Sequence, residues 1–160
     1  MKIEHQYIIN KDTSCIIPAK EIEYDAIVGE GERLRYIRQT PFDIIKQSCI
    51  RYWSSYEGRR QAIIHHTGFK ERVPIPINPK EGMISFPTHA IKHIDCCWLM
   101  FHHVLQYEPI KNDPKYKTLV TFTNRKTLKL DVSIRSFQSQ MERAFEVRYR
   151  IERDLLNIEE

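Results

Sequence analysis

The chain has 160 residues, of which 41% are apolar and 29% charged, and a net charge of +4 at pH 7. That length suits one domain with its own core, and the composition excludes a disordered chain. No run approaches the roughly 18 apolar residues of a membrane span, and Met1-Lys2-Ile3-Glu4-His5 lacks the apolar stretch of a signal peptide, so a cytoplasmic protein with no membrane partner is expected.

Residues 6–28 read as short strands, Tyr7-Ile8-Ile9 and then Cys15-Ile16-Ile17, parted by the turn-prone Asn10-Lys11-Asp12. A third strand, Tyr24 to Val28, ends at Gly29-Glu30-Gly31, and Leu34, Tyr36 and Arg38 continue the meander. Thr40-Pro41-Phe42-Asp43 is the clearest helix start: a cap, a proline suited to the first turn, and an acid where the helix dipole favours one. Phe42, Ile45, Cys49, Tyr52, Trp53 and Tyr56 then recur at spacings of three and four, which predicts one helix over about 41–57 with Gly58 as its stop.

Val73-Pro74-Ile75-Pro76-Ile77-Asn78-Pro79 is too rich in proline for a central strand and suggests an extended edge. Short strands follow at Met83 to Phe86 and Trp98 to Val104. Leu119 to Thr123 and Lys126 to Leu130 form a hairpin around Asn124-Arg125, where Asn tolerates a positive φ. Ser133 or Ser136 caps a last helix, about 134–156, with Phe137, Met141, Ala144, Phe145, Ile151 and Leu155 on one face. The expectation is a single α+β domain over residues 1–160, with an antiparallel-rich sheet, hairpins, a central helix and a C-terminal helix.

Cys15, Cys49, Cys96 and Cys97 make no C-x-x-C pair, which points to buried, reduced thiols. His89, His93, Cys96, Cys97, His102 and His103 crowd together, but no pair has the spacing of a zinc finger, so no metal is expected. There is no Gly-rich phosphate loop, no G-x-S-x-G and no H-E-x-x-H, so neither enzymatic activity nor a cofactor is expected. The pI of about 8.9 suits a polyanionic partner without specifying one. Arg33, Arg35, Arg38, Arg51, Arg59, Arg60, Lys70 and Arg72 punctuate the middle, while acids gather at the ends and around the last helix.

Several segments carry a resemblance. They are Ile45-x-x-Ser48-Cys49 leading into Trp53-Ser54-Ser55-Tyr56-Glu57-Gly58-Arg59, then Pro74-Ile75, Pro79 and Phe86-Pro87-Thr88. Cys96-x-Trp98 and His103-Val104 follow, then Val120-Thr121-Phe122-Thr123-Asn124-x-Lys126-Thr127, Ser133, Ser136-Phe137, Gln140 and Arg143. In this order the chain resembles the bacterial competence transcription factor (ComK) family.

The resemblance implies an activator of DNA-uptake genes that binds A/T-rich promoter boxes in double-stranded DNA, largely through the minor groove. It also implies a homodimer that assembles in pairs, and contacts with RNA polymerase and a protease adaptor. The chain stops soon after Leu155-Leu156, whereas the family carries a longer tail linked to activation and degradation. A same-family modulator that binds without activating, and a module that binds only a relative or an adaptor, are the alternatives.

A minor-groove reader needs slender basic or amide side chains on a projecting element, because A/T tracts narrow the groove and deepen its negative potential. Ser54, Ser55, Tyr56, Arg59 and Arg60 form one such candidate; Asn124, Arg125 and Lys126 at the hairpin tip form the other. The competing reading makes Gly58 a helix stop, with the arginines merely solvated. Arg72, Arg135 and Arg143 are candidates for phosphate contact, although Glu142, Glu146 and Glu152 also suit a salt-bridged surface. The dimer is expected to use an apolar strand edge or the last helix.

Overall fold

The computed structural model describes residues 1–159. The chain forms β1 (Ile3–Glu4), β2 (Thr13–Pro18), β3 (Ala26–Glu30), β4 (Arg33–Ile37), α1 (Pro41–Arg51), α2 (Tyr56–Thr67), β5 (Ile75–Asn78), β6 (Met83–Pro87), β7 (Trp98–Met100), β8 (Val104–Pro109), β9 (Thr118–Phe122), β10 (Thr127–Leu130) and α3 (Ile134–Glu159). Seven strands make a sheet in the order β1-β4-β3-β2-β7-β6-β5, and β10-β9-β8 make a second. Only the β1–β4 pairing is parallel among the described strands. The expected α+β class with an antiparallel-rich sheet holds.

The proline-rich segment supplies β5, which lies at the sheet's edge as its prolines require. Tyr7 to Ile9 is not a strand. Tyr7 and Ile9 are buried, yet side chains satisfy their backbone: Tyr7 N–H donates to Gln39 Oε1 (3.0 Å), Ile9 N–H to Ser48 Oγ (3.0 Å), and Tyr52 Oη donates to the Ile9 carbonyl (2.8 Å). Gly29 and Glu30 belong to β3 rather than to the turn. A Cβ at Gly29 would sit 2.8 Å from Ser14 Oγ, so this glycine lets β2 and β3 close up.

The stretch from Trp98 to Val104 divides. Residues 98–100 are buried in the large sheet, a 3-10 turn at Phe101–His103 follows, and Val104 opens β8 in the small one. In α3, Ser133 Oγ accepts from Ser136 N–H (3.1 Å), which settles the cap. Its buried stripe runs through Phe137, Gln140, Ala144 and Val147; Phe145, expected on that stripe, is 61% exposed. Phe137 packs edge-on to Phe86 and tilted against Tyr107, with ring centres 5.7 and 5.0 Å apart.

The largest correction falls on the central helix. Thr40 caps α1 as expected, its Oγ1 accepting from Asp43 N–H (3.1 Å). The helix then stops at Arg51 rather than near 57. Trp53 N–H donates to the Ile50 carbonyl (3.0 Å) and Ser54 N–H to that of Cys49 (3.1 Å), with Trp53 at φ +69°. This is a Schellman closure carrying tryptophan where glycine is usual, at a backbone cost of about 1 kcal/mol. Ser55 begins α2, accepting from Gly58 N–H (2.9 Å), so Gly58 opens a helix instead of ending one. Gly68, at φ +80°, ends it.

All four cysteines are buried and unpaired, as expected. Burial pushes the Cys49 thiol up to about 11 and raises the others as well.

Candidate nucleic-acid interface

The β9–β10 turn is built by its own backbone. Arg125 N–H donates to the Phe122 carbonyl and Phe122 N–H to that of Lys126, both at 2.9 Å, and Lys126 N–H reaches Asn124 Oδ1 at 3.0 Å. The positive φ falls on Arg125 (+73°), not on Asn124. Asn124 instead braces the tip: its Nδ2 donates to the Gly31 carbonyl at 2.8 Å, and Lys126 Nζ lies 3.7 Å from Glu32. Arg125 is exposed, and no carboxylate pairs with it among the described residues. A free guanidinium therefore stands on a turn anchored to the β3–β4 turn.

A second group forms around the 68–73 loop between α2 and β5. Arg60 pairs with Glu57 (3.0 Å) and reaches the Lys70 carbonyl (3.5 Å). Arg143 donates to Gln140 Oε1 (2.7 Å) and the Glu71 carbonyl (2.8 Å), and its guanidinium lies 4.4 Å from the Phe69 ring centre. Arg72, at φ +47°, donates to Ser136 Oγ (2.9 Å), while Gln140 Nε2 donates to the Arg72 and Pro87 carbonyls (2.9 and 2.8 Å). Arg135 is exposed beside this group, with no ion-pair partner among the described residues.

These two groups lie at opposite ends of the large sheet. The strand registers put Thr13, Glu30 and Met83 at one end, with Gly31 and the hairpin tip, and put Pro18, Ala26, Pro87 and Ile75 at the other, with the 68–73 loop. The sequence offered Ser54 to Arg60 as a candidate beside the hairpin tip, but most of that segment holds the α1–α2 corner. Ser55 caps α2, Tyr56 packs edge-on against Phe42 at 4.9 Å, and Arg59 Nη2 donates to the Tyr52 carbonyl at 2.7 Å. Arg59 is half-buried, and burial lowers its affinity for its proton. Ser54 Oγ makes only a long bond to the Ser55 carbonyl (3.4 Å) and is the freer hydroxyl.

Lys11 and Arg51, which are not among the candidate contacts read from the sequence, are both exposed. Lys11 lies at the hairpin end, where its carbonyl meets His103 Nε2 at 2.7 Å. Arg51 ends α1, whose last turn reaches the same end through the Tyr52–Ile9 bond. Cys96 Sγ donates to the His89 carbonyl (3.4 Å), Cys97 Sγ to that of Asp95 (3.6 Å), and His89 Nδ1 bonds Thr88 Oγ1 (2.8 Å), while His89 Nε2 and His102 Nδ1 are buried without a partner among the described residues. No metal-holding group of three appears among the described residues.

Arg143→Ala is an informative variant because this guanidinium ties α3 to the loop. Loss of two charge-assisted bonds and the Phe69 contact is expected to cost about 2 kcal/mol in urea unfolding. The ratio of A/T-rich to G/C-rich duplex affinity should stay unchanged.

The chain is thus an α+β domain with a braced cationic hairpin at one end of its large sheet, and comparison with known proteins places it in a family. The family described as ComK protein matches residues 4–155. A protein of Bacillus subtilis (strain 168) described as a competence transcription factor is 30% identical over 139 residues, covering 86% of this chain and 70% of that protein. No solved structure matches. The chain belongs to the ComK family.

Proposed function

We propose that this protein is a sequence-specific DNA-binding activator of competence genes that reads A/T-rich duplex through the minor groove as a dimer. Family membership and the relative's description as a competence transcription factor support the regulatory class. The observation that carries the groove reading is Arg125. It is an unpaired arginine on a turn fixed by the Asn124–Gly31 bond, and a narrow A/T groove attracts such a side chain. Lys11, Arg51 and Lys126 at the same end suit the flanking phosphates. The protein then needs neither cofactor nor metal, and works where the chromosome is, in the cytoplasm. Among the described residues no helix is long and apolar enough to cross a membrane.

The test is fluorescence anisotropy of labelled A/T-rich and G/C-rich duplexes titrated with protein over a range of salt. Tighter binding to the A/T duplex is expected, with a salt slope corresponding to about 4–8 phosphates. Equal binding to both duplexes removes the groove reading, and absence of binding removes the DNA reading. A promoter–reporter assay separates activation from mere occupancy.

A further inference from the structure

Trp53 is the most exposed aromatic side chain among the described residues, at 94%, and stands at the corner between α1 and α2. Two features set it apart from an ordinary surface tryptophan. Its backbone occupies the left-handed region (φ +69°), where glycine would fit without strain. The corner beneath it is also rigid: the Cys49 and Ile50 carbonyls take the Ser54 and Trp53 N–H groups, Arg59 holds the Tyr52 carbonyl, and Tyr52 Oη holds that of Ile9. An indole is thereby fixed outside the core at two costs to folding, strain and apolar exposure.

Its position relates it to the hairpin. Ile9 leads into Asn10, whose Nδ2 donates to Glu30 (3.0 Å), and the next residue, Gly31, accepts from Asn124. Trp53 and Arg125 therefore stand at the same end of the sheet. Around Trp53 lie groups suited to phosphates: exposed Arg51, the Ser54 hydroxyl, and the first N–H groups of α2. Glu57 is turned back on Arg60 (3.0 Å) and Gln61 (2.9 Å).

From this geometry we infer that Trp53 is an apolar wedge, its ring entering partway between base pairs of an A/T-rich duplex gripped by Arg125. The inference rests on the DNA-binding reading above. Pyrimidine–purine steps in such DNA unstack easily, and side chains wedged from the minor groove kink it there. A second copy of the chain is the less suitable occupant. Beside the ring, Ile50 is the exposed large apolar residue, and a stable dimer contact needs roughly 800 Å² per partner, several times what the two present.

The experiment follows anisotropy of labelled A/T-rich duplex and tryptophan emission in one titration. Trp98, 1% exposed, serves as the internal reference. On saturation the parent's exposed-tryptophan emission is expected to be quenched and shielded from acrylamide. Trp53→Gly, which suits the left-handed corner, should fold at least as well, lose that signal and bind about ten-fold more weakly. Trp53→Phe should bind within about three-fold of the parent, because a ring is retained. Duplex binding with Trp53 emission unmoved and Trp53→Gly at parental affinity overturns the wedge and leaves the DNA reading standing. An emission shift on concentrating the protein without DNA assigns Trp53 to a second copy and overturns the wedge. Failure to bind any duplex ends both readings.

Discussion

Glu30→Ala is expected to lower stability by about 3 kcal/mol, read as a fall in the urea midpoint. The Glu30 carboxylate accepts from Tyr7 Oη at 2.6 Å, from Asn10 Nδ2 at 3.0 Å and from Arg35 Nη1 at 3.0 Å, and Arg35 also pairs with Glu4. Removing it leaves a largely buried guanidinium with Glu4 as its one carboxylate partner, and a buried phenol with Thr13 at 2.6 Å and Asn10 Nδ2 at 3.3 Å. Burial alone would raise the carboxyl pKa, but the bonds from Tyr7, Asn10 and Arg35 outweigh it and hold the group at about 2.

The folded value therefore lies below the usual 4.5. Stabilisation by Glu30 is complete above the unfolded value and is lost as pH falls from about 4.5 towards 2. Glu4, held low by its bond from Arg35, acts in the same direction. Glu30→Gln should flatten this acid limb; an unchanged limb in that variant would place the acid lability elsewhere. Because Gly31 follows Glu30 and accepts from Asn124, the variant should also loosen the hairpin's brace.

Arg125→Ala is expected to weaken binding to A/T-rich duplex by about 1–3 kcal/mol and to narrow the gap to a G/C-rich control. Stability should hardly change, since the side chain is exposed and the turn is made by backbone and Asn124. Arg125→Gly sharpens the comparison. Glycine relieves the +73° φ, so the hairpin should become firmer while DNA affinity falls as far as in the alanine variant. If both variants bind like the parent, the hairpin tip is not the groove reader. The contrast with Arg143→Ala, which should lose stability without losing discrimination, separates a reading side chain from one that holds a loop.

Much of the fold was legible because its signals were local. Thr40-Pro41, the proline-rich edge, the Asn124 hairpin and the Ser133 cap each depend on a few neighbouring residues. The failures share another origin. Tyr7 to Ile9 has a strand's composition, but Gln39, Ser48 and Tyr52, remote in sequence, take its hydrogen bonds. The helical spacing from Phe42 to Tyr56 continues across the corner because both helices contribute apolar residues to one core, so periodicity could not see the break. Ser55 was the available clue, since it is followed by an acid in a first turn. The hairpin forms around Asn124 and Arg125 as its turn residues predict. That Arg60, Arg72 and Arg143 converge on one loop followed from contacts more than sixty residues apart for Arg72 and Arg143, beyond the reach of any spacing rule.

The margins of the large sheet govern how copies of this protein can meet. One border strand, β1, spans two residues, and the other, β5, carries a proline with no N–H to offer. An incoming strand would find too short a ladder on one side and an interrupted one on the other, so the sheet is poorly suited to growing by template addition. That guards a crowded chain, during synthesis and refolding, against seeding fibrous aggregates through these borders. Strand pairing of copies through these two borders is disfavoured for the same reason, a restriction that does not extend to side-chain surfaces such as that of Phe145 and Tyr149 on α3, both exposed.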